Sequence, residues 1–147
     1  MAVYAQNRKA RFDYDILETF QTGIVLYGFE VKSVRAGRVD LKDSYITVKN
    51  NELWLLNAKI YPLQPKNIPA TYRENRSRKI LAHADEVKRM IGKIREARLT
   101  IVPLQMYNVK RYLKLECGLA KSKRAFEKRE RIKKRDTERE IERSLKN

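Results

Sequence analysis

A mainly β fold, a small closed barrel with helices set between its strands, is predicted by three observations. Five or six short runs of alternating or β-branched residues recur over the first 120 positions, turn residues separate them, and two segments carry a helical period. A helical bundle would need the opposite balance.

Residues Tyr14 to Gln21 are mixed but strand-compatible. From Gly23 the spacing changes: Ile24, Tyr27, Val31 and Val34 fall at i, i+3, i+7 and i+10, a helix period closed by Ala36-Gly37 in the place of a glycine C-cap. Such a helix presents Glu30 and Arg35 away from the core. Tyr45 to Lys49 and Glu52 to Leu56 are two β-prone runs joined by Asn50-Asn51, residues that tolerate positive φ, and they predict a hairpin. Between Tyr61 and Lys79, Pro62, Pro65 and Pro69 with several bases predict an exposed connection, functional or partly disordered. Ile80-Leu81-Ala82 is short and apolar, and His83-Ala84-Asp85-Glu86 resembles a capping box with His in the N-cap place. The helix it opens buries Val87, Met90, Ile91 and Ile94 on one stripe. Leu99 to Met106 and Tyr112 to Leu119 read as two more strands. In the second, Leu113, Leu115, Cys117 and Leu119 share one face, and Tyr112, Lys114, Glu116 and Gly118 the other.

Charge divides the chain into a barrel over residues 1–120 and a tail over 121–147. The tail holds twelve Lys and Arg, six Asp and Glu, and five aliphatic or aromatic side chains. It cannot bury enough apolar surface to offset its ordering entropy, so it is expected to be disordered when free. Pairs such as Glu127 with Arg131 and Glu130 with Lys134 support a helix once phosphate neutralises the excess charge, which makes the tail conditionally helical. Of the net charge of +16, the tail supplies 12 − 6 = +6 and residues 1–120 the remaining +10. Two basic surfaces, one folded and one flexible, point to nucleic acid as the partner.

Other chemistries are scarce. One His and one Cys exclude a two-histidine metal site, a four-cysteine cluster and an intramolecular disulfide, and no Gly-rich phosphate loop is present. No metal or other cofactor is expected. Asp13, Asp15, Glu18 and Glu30 are better read as solvated carboxylates at element ends than as the metal cluster of a nuclease, because their spacing is generic. Cys117 is expected to be a buried thiol in a reducing compartment. No apolar run approaches the roughly 20 residues of a membrane span, so a soluble, cytoplasmic protein without a membrane partner is expected.

The segment Gly28-Phe29-Glu30-Val31-Lys32-Ser33-Val34-Arg35-Ala36-Gly37 is the specific one. Around it stand, in order, Asn7-Arg8-Lys9-Ala10, Tyr14 and Ile16, Gly23-Ile24 with Leu26, Asp43-Ser44-Tyr45, Arg78-Lys79-Ile80-Leu81, Val102-Pro103-Leu104 and Lys114. Together they resemble the SsrA-binding proteins, the small protein B family, over Asn7 to about Asp136. The resemblance implies an OB-fold-like barrel with two or three short helices. It also implies an adaptor of trans-translation, not an enzyme, that binds the tRNA-like domain of transfer-messenger RNA and delivers it to stalled ribosomes. Asn7, Arg8, Lys9, Glu30, Lys32, Ser33, Arg35, Arg78, Lys79, Leu81 and His83 match positions in or beside that RNA surface. His83 is read as a helix cap or as a side chain that stacks on RNA. Lys121, Lys123, Arg124, Lys128, Arg129, Lys133, Lys134 and Arg135 match the tail that lies in the empty message channel, against small-subunit rRNA near the decoding centre. Elongation factor Tu is implied as a further partner through the RNA. The tail departs from the family pattern, with Ser122-Lys123-Arg124 and Glu127-Lys128-Arg129 where Gly-Lys-Lys and Asp-Lys-Arg are usual. Composition by itself equally permits a structural ribosomal protein with a basic extension.

Overall fold

The computed structural model describes residues 2–63, 68–123 and 139. The predictions for Arg124, Lys128, Arg129, Lys133, Lys134 and Arg135 fall outside the described residues. In chain order the elements are β1 (Val3–Gln6), α1 (Arg8–Asp13), β2 (Tyr14–Ile24), α2 (Gly28–Arg35), β3 (Val39–Asp40), β4 (Tyr45–Lys49), β5 (Glu52–Leu56), β6 (Lys59–Ile60), β7 (Arg78–Leu81), α3 (Ala84–Ala97), β8 (Thr100–Val109) and β9 (Tyr112–Ser122).

Six strands close on themselves. The order β8-β4-β5-β7-β2-β9 returns to β8 through the β8–β9 pairing, and every pair is antiparallel. The start of β8 takes β4 on one edge at Ile46 opposite Ile101; further along, the same edge takes β1, with Gln6 opposite Gln105. Closure removes the free edges that an open sheet of this size would leave to water or to other chains.

Local sequence explains most joints. The β4–β5 hairpin turns at Asn50 and Asn51 with φ of 53° and 60°, the left-handed pair that a tight hairpin requires. Helix α2 ends in a Schellman motif: Gly37, at φ 78°, donates to the Val34 carbonyl at 2.9 Å and Arg38 to the Ser33 carbonyl at 2.9 Å. Helix α3 buries Met90 and Ile91 and half-buries Val87 and Ile94, as its stripe predicts.

Three expectations need correction. The Gly23 segment does not begin a helix: β2 runs on to Ile24, with Gly23 opposite Leu81 and Ile24 opposite Ile80, so α2 starts five residues later. The outer face of β9 is not all solvent. Gly118 and Ala120 are buried beneath α1 in a second small core with Ala10, Val102 and Leu104, and a Cβ at Gly118 would meet Leu104 Cδ1 at 3.0 Å and Ile16 Cγ2 at 3.1 Å. The folded body also runs past residue 120. β9 reaches Ser122 opposite Tyr14, and Lys123 is buried, its backbone N–H donating to the Asp13 carbonyl at 3.1 Å.

Candidate nucleic-acid interface

Strand β7 alternates with period 2: Arg78 and Ile80 face inward, Lys79 and Leu81 outward. Its register sets Arg78 opposite Leu55, so the guanidinium enters the barrel end with no exposed surface. A buried charge needs a partner, and Glu30 of α2 supplies it. Arg78 donates from Nε to Glu30 Oε2 at 2.8 Å and from Nη1 to the Ala58 carbonyl at 2.7 Å.

Glu30 is itself fully buried and collects donors from three further groups. The Tyr27 backbone N–H reaches Oε1 at 2.8 Å, the Tyr72 hydroxyl reaches Oε2 at 3.0 Å, and Arg76 binds both oxygens, with Nε at 3.2 Å from Oε2. Burial pushes this carboxyl up, but the hydrogen bonds from Arg76 and Tyr27 and the charge of Arg78 outweigh it and hold Glu30 below the usual carboxylate range. Tyr72 is pushed up to about 12, by burial first and then by the Glu30 charge. The expectation that Glu30 faces outward is therefore corrected. Its four lone-pair positions are spent on the protein, and it has none to offer a base amino group or a 2′-hydroxyl.

The other predicted residues divide by exposure. Asn7 is buried: its Oδ1 accepts from Ala10 N at 3.2 Å as the cap of α1, and its Nδ2 donates to the Pro103 carbonyl at 2.9 Å. Ser33 is buried and donates to the Phe29 carbonyl at 3.0 Å. Arg78 is buried as described. These three, with Glu30, hold the scaffold. Arg8, Lys9, Lys32, Arg35 and His83 are exposed and Lys79 is half-buried. Lys9 pairs with Asp43 at 2.7 Å, a hydrogen bond and charge that raise its pKa, and Lys79 pairs with Glu52 at 3.4 Å. Arg35 donates to the Arg111 carbonyl at 2.8 Å. His83 is the N-cap residue of α3, but its ring makes no capping hydrogen bond. Of the two predicted tail cations among the described residues, Lys121 is exposed in β9 opposite Asp15; Lys123 is buried over the ring of Phe12, with Nζ 3.5 Å from the Arg11 carbonyl.

Lys79 and Leu81 line one wall of a groove of about 570 Å³ between β7 and α3, and Lys88 and Arg95 line the other. Ile80, Val87 and Ile91 give it an apolar lining, and Leu81 leaves 49% of its surface in water. Glu52, paired with Lys79, also lines it, so the apolar floor beside Lys88 and Arg95 is what suits a nucleotide that offers a ring face and a phosphate together. Among the described residues, no group of three or more His, Cys, Asp or Glu is placed to hold a metal ion, and no helix is long and apolar enough to cross a membrane.

Sequence reasoning missed Tyr72 and Arg76. Both lie in the long connection before β7, read from its prolines and bases as an exposed segment; no period exists there to say which side chains turn inward. Arg78, expected on the RNA surface, is turned inward by its phase with Ile80 in β7.

The SmpB protein family model matches residues 4–147. An SsrA-binding protein of Carboxydothermus hydrogenoformans is 49% identical over 143 residues, covering 97% of this chain and 95% of that protein. One from Trichodesmium erythraeum is 43% identical over 144 residues, covering 98% and 92%. Among solved structures, a chain of "tmRNA-SmpB: a journey to the center of the bacterial ribosome" is 45% identical, with a TM-score of 0.65 over 82% of this chain and 84% of that one. With a match that spans nearly its whole length, the chain belongs to the SmpB protein family.

Proposed function

We propose that this protein is the RNA-binding adaptor of trans-translation, which binds transfer-messenger RNA through its barrel and delivers it to stalled bacterial ribosomes. The observation that carries the reading is the near full-length match to SsrA-binding proteins, together with a related chain solved with that RNA in the ribosome. In this role the protein does no bond chemistry; peptide transfer belongs to the RNA and the ribosome, and the work takes place in the bacterial cytoplasm.

The residues divide the task by where they stand. Arg8, Lys9, Lys32, Arg35, Lys79, Leu81 and His83 meet the RNA, the cations by phosphate attraction and Leu81 and His83 by contact with base or sugar. Asn7, Glu30, Ser33 and Arg78 act from behind by fixing the loops that carry those side chains. The cations from Arg124 onward serve the second contact, with small-subunit rRNA at the decoding centre, and elongation factor Tu joins through the RNA.

The test is a gel-shift assay with in vitro transcribed transfer-messenger RNA at physiological salt, comparing the full chain with one ended after Lys123. Both are expected to bind within several-fold of one another, and tagging of nascent chains on stalled ribosomes is expected only from the full chain. A hundredfold loss of RNA affinity on truncation would overturn the division into two surfaces.

A further inference from the structure

The Glu30 hub has an outer side. Tyr27, Phe29, Tyr72, Arg73, Arg76 and Pro69 line a second cavity, of about 450 Å³, at the mouth of the connection that follows β6. Three of its walls are tied to the same carboxylate: Tyr27 through its backbone N–H, Tyr72 through its hydroxyl and Arg76 through its guanidinium. The rings are set against one another. Tyr27 and Phe29 stack with centroids 5.6 Å apart, Phe29 meets Tyr72 edge-on at 4.8 Å, and the Arg76 guanidinium lies 4.0 Å from the centre of the Tyr27 ring.

A cluster like this would ordinarily be core. Here Tyr27 nevertheless leaves 53% of its surface in water, and Arg73 on the rim is exposed. Among the described residues no carboxylate lines the cavity, and the one behind it is neutralised by two arginines. Aromatic and guanidinium faces fixed by hydrogen bonds, beside a cation with no carboxylate partner among the described residues, are the means by which proteins take up a nucleobase pulled out of its stack: the ring is bound by stacking and the neighbouring phosphate by charge.

We infer that the Tyr27–Arg76 cavity is a site for one unstacked nucleobase of the bound RNA, with Arg73 on the adjoining phosphate and Glu30 as the positioning residue that fixes the walls. The site rests on the RNA-binding reading given above and names a contact within it. An apolar protein side chain would fit the volume but would leave the cationic rim without a partner. Rigid walls matter because each ring ordered in advance is one less to order on binding.

The experiment measures affinity for transfer-messenger RNA over a series of salt concentrations, using the full chain and the variants Tyr27→Ala, Tyr27→Phe and Arg73→Ala, with folding checked by circular dichroism and thermal melting. Loss of a base stack worth about 1–3 kcal/mol predicts a 5- to 150-fold weakening for Tyr27→Ala at an unchanged salt slope, and near-normal binding for Tyr27→Phe. Arg73→Ala is expected to lower the slope by roughly 0.7 to 0.9. Ultraviolet cross-linking of the unaltered complex should attach RNA to the peptide containing Tyr27 and Phe29. Normal affinity in Tyr27→Ala, or cross-links to that peptide from a ribosomal protein and not from RNA, overturns the inference while leaving the RNA-binding reading intact. Failure of the unaltered chain to bind the RNA removes both.

Discussion

Glu30 and Arg78 stand 48 positions apart in the chain, and their side chains meet at 2.6 Å with no exposed surface on either. The pair joins α2 to β7, and through Tyr72 and Arg76 it also anchors the connection between β6 and β7. A carboxylate on a helix face that its apolar period would turn to solvent thus acts as the fastening of one end of the barrel.

Removing one member of such a pair leaves the other charge buried without compensation. Glu30→Ala is expected to cost about 3–5 kcal/mol of stability, read as a lowered urea midpoint. RNA affinity should fall as well, although the variant carries more positive charge, because the loops bearing the RNA contacts lose their anchor. Simple phosphate attraction predicts the opposite sign. Unchanged stability in Glu30→Ala would show that Arg76 and Arg78 find other partners.

The same carboxyl sets an acid limit. Glu30 is held below its ordinary value of 4.5 in the folded protein, so its contribution is complete above that value and disappears as pH falls through the lowered one. Half-buried Glu18, held at about 2 by hydrogen bonds from Arg89 and Lys93, titrates in the same acid direction. The two are separable by salt, which screens the Glu18 cluster at the surface more than the fully buried Glu30. Melting temperature against pH from 6 to 3 should fall less steeply in Glu30→Gln than in the unaltered chain, and added salt should not erase the difference. Parallel curves would contradict the assignment.

Cys117 gives an independent report on the core. It is fully buried, and burial pushes its thiol up to about 12, with the Thr22 hydroxyl 3.7 Å from the sulfur. Alkylation at pH 8 is therefore expected to proceed at the rate of global unfolding and to accelerate with urea in step with it. Rapid labelling of the native protein would show that β9 opens locally.

Phosphate contacts are expected to be countable. Lys32 and Arg35 are exposed on α2 with no acidic partner among the described residues, and each replacement by Ala should lower the salt slope of RNA binding by roughly 0.7 to 0.9. Leu81→Ala should weaken binding and leave the slope alone, since no charge is lost. A Lys32→Ala slope equal to that of the unaltered chain would place α2 outside the RNA footprint.

How much of this was legible in the sequence depends on the kind of signal. The Asn50-Asn51 turn, the Gly37 cap and the α3 stripe are local and dictated by backbone sterics or by period, so each is readable from a few residues. The direction of α2 was not, because its buried face carries Glu30 and Ser33, polar residues that an apolar period assigns to water. The burial of Glu30 is compensated by arginines over 40 positions away, which only the closed ring of strands brings near. Asn7 misled in the same way, being a buried cap and not a surface amide. The exposed cations and Leu81 stand on the surface as expected, and Lys123 does not, since β9 and the residue after it outlast the compositional boundary of the tail.

The most direct test of the adaptor reading is to recover the protein with a tag from growing cells and sequence the RNA that comes with it, while counting its copies per ribosome. The reading predicts transfer-messenger RNA as the dominant species, with the protein far below one copy per ribosome and enriched on stalled complexes. A stoichiometric presence on all ribosomes, without that RNA, would contradict it and mark the chain as a structural ribosomal protein.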